Sequence, residues 1–181
     1  MKRALVSIAL CLVACATAPP PVAQVMMATA QPRPNININQ SDTTLRLVLA
    51  PEIQDEYTVP ANRGFAAFHF TGWRTALEAG FREAFGGAFT LSQAPDAALT
   101  LTISEASGYY DATAINGYGG IAAYTSRIRY KATLSDGGGQ VVKRLAGTVP
   151  GKSSVGQNVP IMAGAIEHLY EEISDKMFQA P

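Results

Sequence analysis

The chain has 181 residues, 48% of them hydrophobic and 15% charged, and its 14 basic and 14 acidic side chains cancel. That length suits one ordinary domain with appendages, and charge is sparse beside the roughly 25% of a typical soluble domain. The basic residues are scattered and build no concentrated positive patch able to displace counterions, so no nucleic-acid partner is expected.

In chain order, Lys2 and Arg3 precede an apolar run, Ala4 to Ala14, of 11 residues. A helix needs about 20 residues to cross a hydrocarbon core, so this run is read as the hydrophobic region of a signal peptide. Two cleavage readings compete. Ala16-Thr17-Ala18 offers an A-x-A site, but Pro19 would follow the cut. Leu12-Val13-Ala14-Cys15 resembles the lipobox of bacterial lipoproteins, in which a branched aliphatic and a small residue precede a cysteine that is acylated before cleavage. Cys11, preceded by the bulky Leu10, does not fit. The resemblance implies removal of residues 1–14 and a lipid anchor at Cys15, leaving 167 residues (181 − 14) with no free thiol. Several acyl chains, each contributing about 0.8 kcal/mol per buried CH₂, would hold such a protein stably on a membrane. Ala16, where inner-membrane lipoproteins often carry aspartate, implies the periplasmic face of an outer membrane.

Residues 15–41 are rich in proline, alanine and amides and sustain no apolar period, so they are expected to form a flexible tether. Asn35-Ile36-Asn37-Ile38-Asn39 alternates and could add an edge strand.

The globular domain is placed at 42–179. Leu45, Leu47 and Leu49 alternate with polar residues in a strand ended by Pro51. Residues 52–66 read as a loop. Thr71 is the expected cap of a first helix whose stripe is Phe70, Trp73, Leu77, Phe81, Ala84 and Phe85, stopped by Gly86-Gly87. A short strand near Phe89 and Leu91 follows, and then Leu99, Leu101 and Ile103 alternate with Thr100, Thr102 and Ser104. Tyr124, Ile128, Tyr130, Ala132 and Leu134 form one face of the next strand. Arg127, Arg129, Lys131 and Thr133 form the other, read as solvated. Asp136-Gly137-Gly138-Gly139 turns into a returning strand, Val141 to Val149. After a polar loop, Pro160 opens a last helix with the stripe Met162, Ile166, Leu169, Ile173 and Met177. The order β-α-β-β-β-β-α predicts an α+β two-layer domain, an antiparallel sheet packed by two helices.

Most chemistries find no support. Before Gly151-Lys152-Ser153, Ala146 stands where a phosphate-binding loop needs its first glycine. His69 and His168 lie far apart, and His168 with Glu172 at i, i+4 does not complete a metal site. No G-x-S-x-G elbow marks Ser153, Ser154 or any other serine as a nucleophile. No enzyme activity, metal or cofactor is therefore expected. The segment Ser107 to Tyr124 carries Tyr109, Tyr110, Tyr118 and Tyr124 among glycines, which suits either a partner-binding loop or a hairpin tip whose tyrosines cap the core.

The layout of lipobox, tether and small α+β domain resembles the accessory lipoproteins of bacterial envelope machines, among them those of lipopolysaccharide assembly. It implies a non-enzymatic subunit docked to an envelope protein complex through a membrane-anchored domain. The alternative expectation is a periplasmic binding module for cell-wall glycan or a small apolar ligand held between the first helix and the sheet.

Overall fold

The structure is a computed structural model that describes residues 22–60, 67–113, 123–154 and 158–179. Leu12-Val13-Ala14-Cys15, the expected lipobox, together with Cys11 and Tyr118, lies outside these residues. Eight strands and two helices follow in order: β1 (Val22–Met26), β2 (Thr44–Leu49), β3 (Tyr57–Val59), β4 (Ala67–Thr71), α1 (Trp73–Phe85), β5 (Thr90–Leu91), β6 (Leu99–Thr113), β7 (Ala123–Asp136), β8 (Val141–Ser154) and α2 (Asn158–Ile173). They build a two-layer α+β domain, with a five-stranded sheet ordered β5-β2-β6-β7-β8 and a three-stranded sheet ordered β1-β4-β3.

The large sheet is mixed where an antiparallel one was expected. β2 runs parallel to both β5 and β6, and only β6-β7 and β7-β8 are antiparallel. The cause is connectivity, since α1 lies between β2 and the strands that flank it, and a helical crossover returns the chain to the same end of the sheet. β7 and β8 are joined by a tight hairpin, in which Gly139, at φ 80°, completes the turn from Asp136.

The expected tether is folded from residue 22 onward. β1 pairs in parallel with β4, from Val22 opposite Ala67 to Met26 opposite Thr71. A 3-10 turn, Met27–Thr29, follows, and Val25 and Met27 are fully buried. Residues 30–40 then cross the domain as a strap. Ile36 and Ile38 pack against the core while Asn35, Asn37 and Asn39 face out, so the alternation is real although no strand forms. Two carboxylates of α2 secure the strap: Glu167 accepts from the Arg33 amide (3.0 Å) and Glu171 from the Asn35 amide (2.9 Å).

The first helix begins later than the pattern suggested. Phe68 and Phe70 lie on β4, and Thr71 ends that strand instead of capping α1. Gly72 makes the strand-to-helix turn at φ 72°, a conformation that favours glycine. A Cβ there would also meet Ala28 at 2.6 Å. The free amides at the start of α1 are satisfied from a distance: Trp73 donates to the Asp55 carbonyl (3.0 Å) and Arg74 to the Asp55 carboxylate (2.9 Å).

The core lies between the large sheet and the two helices. Buried Trp73, Ala76, Leu77, Gly80, Phe81, Ala84 and Phe85 recur at helical spacing on α1. Met162, Ile166, Leu169 and Ile173 are buried on α2 as expected, with Met177 in the π-helical turn beyond it. Tyr170 donates to the Leu77 carbonyl (2.7 Å) and ties α2 to α1. Gly80 permits this approach, because a Cβ there would stand 2.7 Å from Ile166 Cγ2 and 2.9 Å from the Tyr170 ring. Gly80→Ala should gain about 1 kcal/mol of helix propensity but lose about 1–3 kcal/mol to overpacking. A lower urea midpoint at unchanged slope is the expected result.

Candidate functional site

β6 is 15 residues long but its neighbour β2 has six, and their pairing stops at Leu49 opposite Ile103. Beyond that point no strand lies beside this edge of β6 among the described residues. Side chains take the place of one. Trp73 Nε1 donates to the Ala106 carbonyl (2.9 Å). The Tyr57 hydroxyl accepts from the Gly108 amide (3.0 Å) and donates to the Gly108 carbonyl (3.1 Å), reproducing with one oxygen the two bonds of a strand residue. Gly108 lets both rings come close, since a Cβ there would meet the Trp73 ring at 2.8 Å and the Tyr57 hydroxyl at 2.9 Å. Tyr57 stacks on Phe70 (4.9 Å, 11°) and meets Trp73 edge to face (5.8 Å, 81°). Arg74 closes the end of β2 by donating to the carbonyls of Leu49, Ala50 and Ile53. Burial pushes the Tyr57 hydroxyl well above the ordinary tyrosine range, outweighing the Gly108 bond, which pulls the other way.

Between this edge and the segment carrying β3 lies a cleft of about 540 Å³, lined by Glu52, Tyr57, Val59, Glu105, Tyr109 and Arg129 among others. A bulge positions its outer wall. The register of β6 on β7 shifts between Ile103 and Glu105, leaving Ser104 as an extra residue. Leu101 and Ile103 face the core before it; Ala106 and Gly108 do so after it. Glu105 is thereby turned outward to bridge Arg129 (2.6 Å) and Lys131 (2.9 Å), and Arg127 pairs with Asp111 (2.6 Å). The basic row of β7 is thus a solvated face, as its alternation suggested, with its charges matched from β6.

Tyr109 and Tyr110, the two of the four tyrosines whose side chains are described, face opposite ways. Tyr110 turns inward, stacks on Phe70 (5.7 Å, 13°), touches Phe68 (4.6 Å) and donates to the Asn158 carbonyl (2.7 Å). Burial raises its pKa, aided by the neighbouring Tyr57 hydroxyl. Tyr109, on the opposite face, is half-buried at the cleft. Tyr124 lies on β7 with its backbone opposite Ala112 and Ser154, and Tyr118 is outside the described residues. The Trp73, Tyr57 and Asp55 contacts were not foreseen; the signal was the alternation Phe68-His69-Phe70 running into Gly72, which marks a strand and a left-handed turn.

Other candidate chemistries separate in space. His69 Nδ1 is hydrogen-bonded to Thr58 Oγ1 (3.0 Å), and His168 Nδ1 donates to the Pro150 carbonyl. Among the described residues no three His, Cys, Asp or Glu side chains are placed to hold a metal ion. Gly151 is a β8 residue held against α2, where a Cβ would stand 1.9 Å from Ser126 Oγ and 2.8 Å from the Ile161 carbonyl. No helix among the described residues is long and apolar enough to cross a membrane.

Neither a protein-family profile nor a curated protein matches the chain. Solved structures similar to it include a minor lipoprotein from Acinetobacter baumannii (16% identity, 76% of this chain and 92% of that one, TM-score 0.43). Others are an uncharacterized lipoprotein B from Nitrosomonas europaea (8% identity, 76% and 85%, TM-score 0.44) and the rare lipoprotein B from Shewanella oneidensis (11% identity, 74% and 89%, TM-score 0.39).

The Glu105 bridges set a pH dependence. The bonds from Lys131 and then Arg129 hold its carboxyl below the usual carboxylate range in the fold. A depressed folded pKa stabilises above the unfolded value, about 4.3 for glutamate, and that stability disappears as pH falls through the lower folded value. Glu105→Gln should therefore unfold more readily than wild type at pH 7, and the difference should close as denaturation is repeated below pH of about 4.

Proposed function

We propose that this is a lipid-anchored protein of the bacterial cell envelope, acylated at Cys15 after loss of residues 1–14. In this reading it faces the periplasm from the outer membrane and acts without catalysis as an accessory subunit of a larger envelope assembly. The observation that carries it is Leu12-Val13-Ala14-Cys15 closing an apolar run of 11 residues that follows Lys2 and Arg3. β1 begins at Val22, so six residues, 16–21, link the acylated cysteine to the folded chain. The docking element is the outward side of β6 at Tyr109, an aromatic with a polar tip that lines the cleft together with Arg129, a combination suited to a protein contact.

Cys15→Ser should move the protein from the membrane pellet to the soluble fraction, while Cys11→Ser should fractionate like wild type; retention of both in the pellet contradicts the anchor. Tyr109→Ala should lose the proteins that co-purify from detergent-solubilised membranes without lowering the unfolding temperature, because Tyr109 is on the outward face. Tyr110→Ala should instead destabilise the fold, by less than the cost of about 3–5 kcal/mol for removing a fully buried aromatic, because Tyr110 is partly buried. The cleft favours a second reading, a module for a cell-wall glycan lying against Tyr109. Chemical-shift changes confined to the cleft on titration with a muropeptide would select it.

A further inference from the structure

We infer that the outer face of the three-stranded sheet lies against the headgroups of the membrane that holds Cys15, an inference that rests on the acylation proposed above. The strand register assembles this face from Val22, Gln24 and Met26 of β1, His69 and Thr71 of β4, and Thr58 of β3. Val22 is 48% exposed and Met26 58%, although the alternate residues Ala23 and Val25 face inward. Among the described residues only four large hydrophobics are exposed, and these two share one side of one short strand. The other two, Val141 and Val142, begin β8.

Three features select a lipid surface as the occupant. The chain from Cys15 to Pro32 contains no Asp, Glu, Lys or Arg. The face itself presents amide, hydroxyl and imidazole groups beside its apolar residues, and His69 is hydrogen-bonded to Thr58. The outer face of the large sheet differs: it carries Glu105, Asp111, Arg127, Arg129 and Lys131 in ion pairs suited to water. Reach is the third. Six residues between Cys15 and Val22, even fully extended, allow at most about 25 Å, so β1 is the first folded element to meet the bilayer. β1 is an edge strand, with no strand on its outer side among the described residues. Backbone groups on such an edge are satisfied among headgroups and not in hydrocarbon, so the strand rests at the interface.

The test uses the acylated full-length protein, purified from membranes and placed in vesicles of phosphatidylethanolamine and phosphatidylglycerol. After processing, the chain contains no thiol besides the acylated one, so Met26→Cys and Val142→Cys each offer a single site for an environment-sensitive fluorophore. The label at position 26 should emit to the blue of that at position 142 and be quenched by aqueous iodide several-fold less. Equal quenching at the two positions, with acyl chains present by intact mass, would overturn the inference and leave the anchor standing. Absence of acyl mass would overturn both. Protection of position 26 in a Met26→Cys chain beginning at Ala16, which has no other cysteine and no acyl chains, without vesicles, would assign the face to contacts within the chain or with a second copy and also overturn it.

Discussion

The structure depends on a mismatch in strand length. β6 runs 15 residues beside a β2 of six, which leaves half of one edge with amides and carbonyls that no strand among the described residues pairs. An exposed edge of that kind invites association with other chains. Here the chain's single tryptophan and one tyrosine bond to it instead. Because Trp73 is also the first residue of α1, and Tyr57 belongs to β3, the same bonds fix where the helix starts and where the small sheet packs.

The consequences run outward from that edge. Phe70 is stacked between Tyr57 and Tyr110, so β4 is held against the end of β6, and β4 in turn provides the parallel partner for β1. β1 is the described element nearest in sequence to Leu12-Val13-Ala14-Cys15. The described chain therefore enters the core through the three-stranded sheet, seven residues after Cys15. The cleft forms where β3 and the end of β2 stop short of the outward side chains of β6, and the bulge at Ser104 decides which of those side chains it receives.

Much of this was legible in the sequence. Leu45 and Leu49 of β2, Ile128, Tyr130, Ala132 and Leu134 of β7 and the stripe of α2 bury what their period predicts, because each is a single element packed on one side, while Leu47 is only partly buried. The α+β class follows from their order. What escaped depended on contacts between distant segments. Strict alternation from Leu99 would send Glu105 and Tyr109 inward; one bulge residue reverses the phase and sends Tyr110 there. Val22 to Met26 is too short to reveal a strand by itself, and it forms only because β4 offers a partner. The strap over 30–40 has no period of helix or strand beyond its two isoleucines, and is held by backbone amides that find Glu167 and Glu171. The stripe that seemed to join Phe70 to Trp73 crosses a left-handed glycine, so one apolar face is in fact a strand followed by a helix.

The claim that a side chain substitutes for a strand along β6 is tested most directly by amide hydrogen exchange at Gly108. Its amide is bonded to the Tyr57 hydroxyl, so it should be protected in the wild-type protein. In Tyr57→Phe that protection should fall sharply while Leu101 and Ile103, paired with β2, keep theirs. Unchanged protection of Gly108 in Tyr57→Phe would contradict the account.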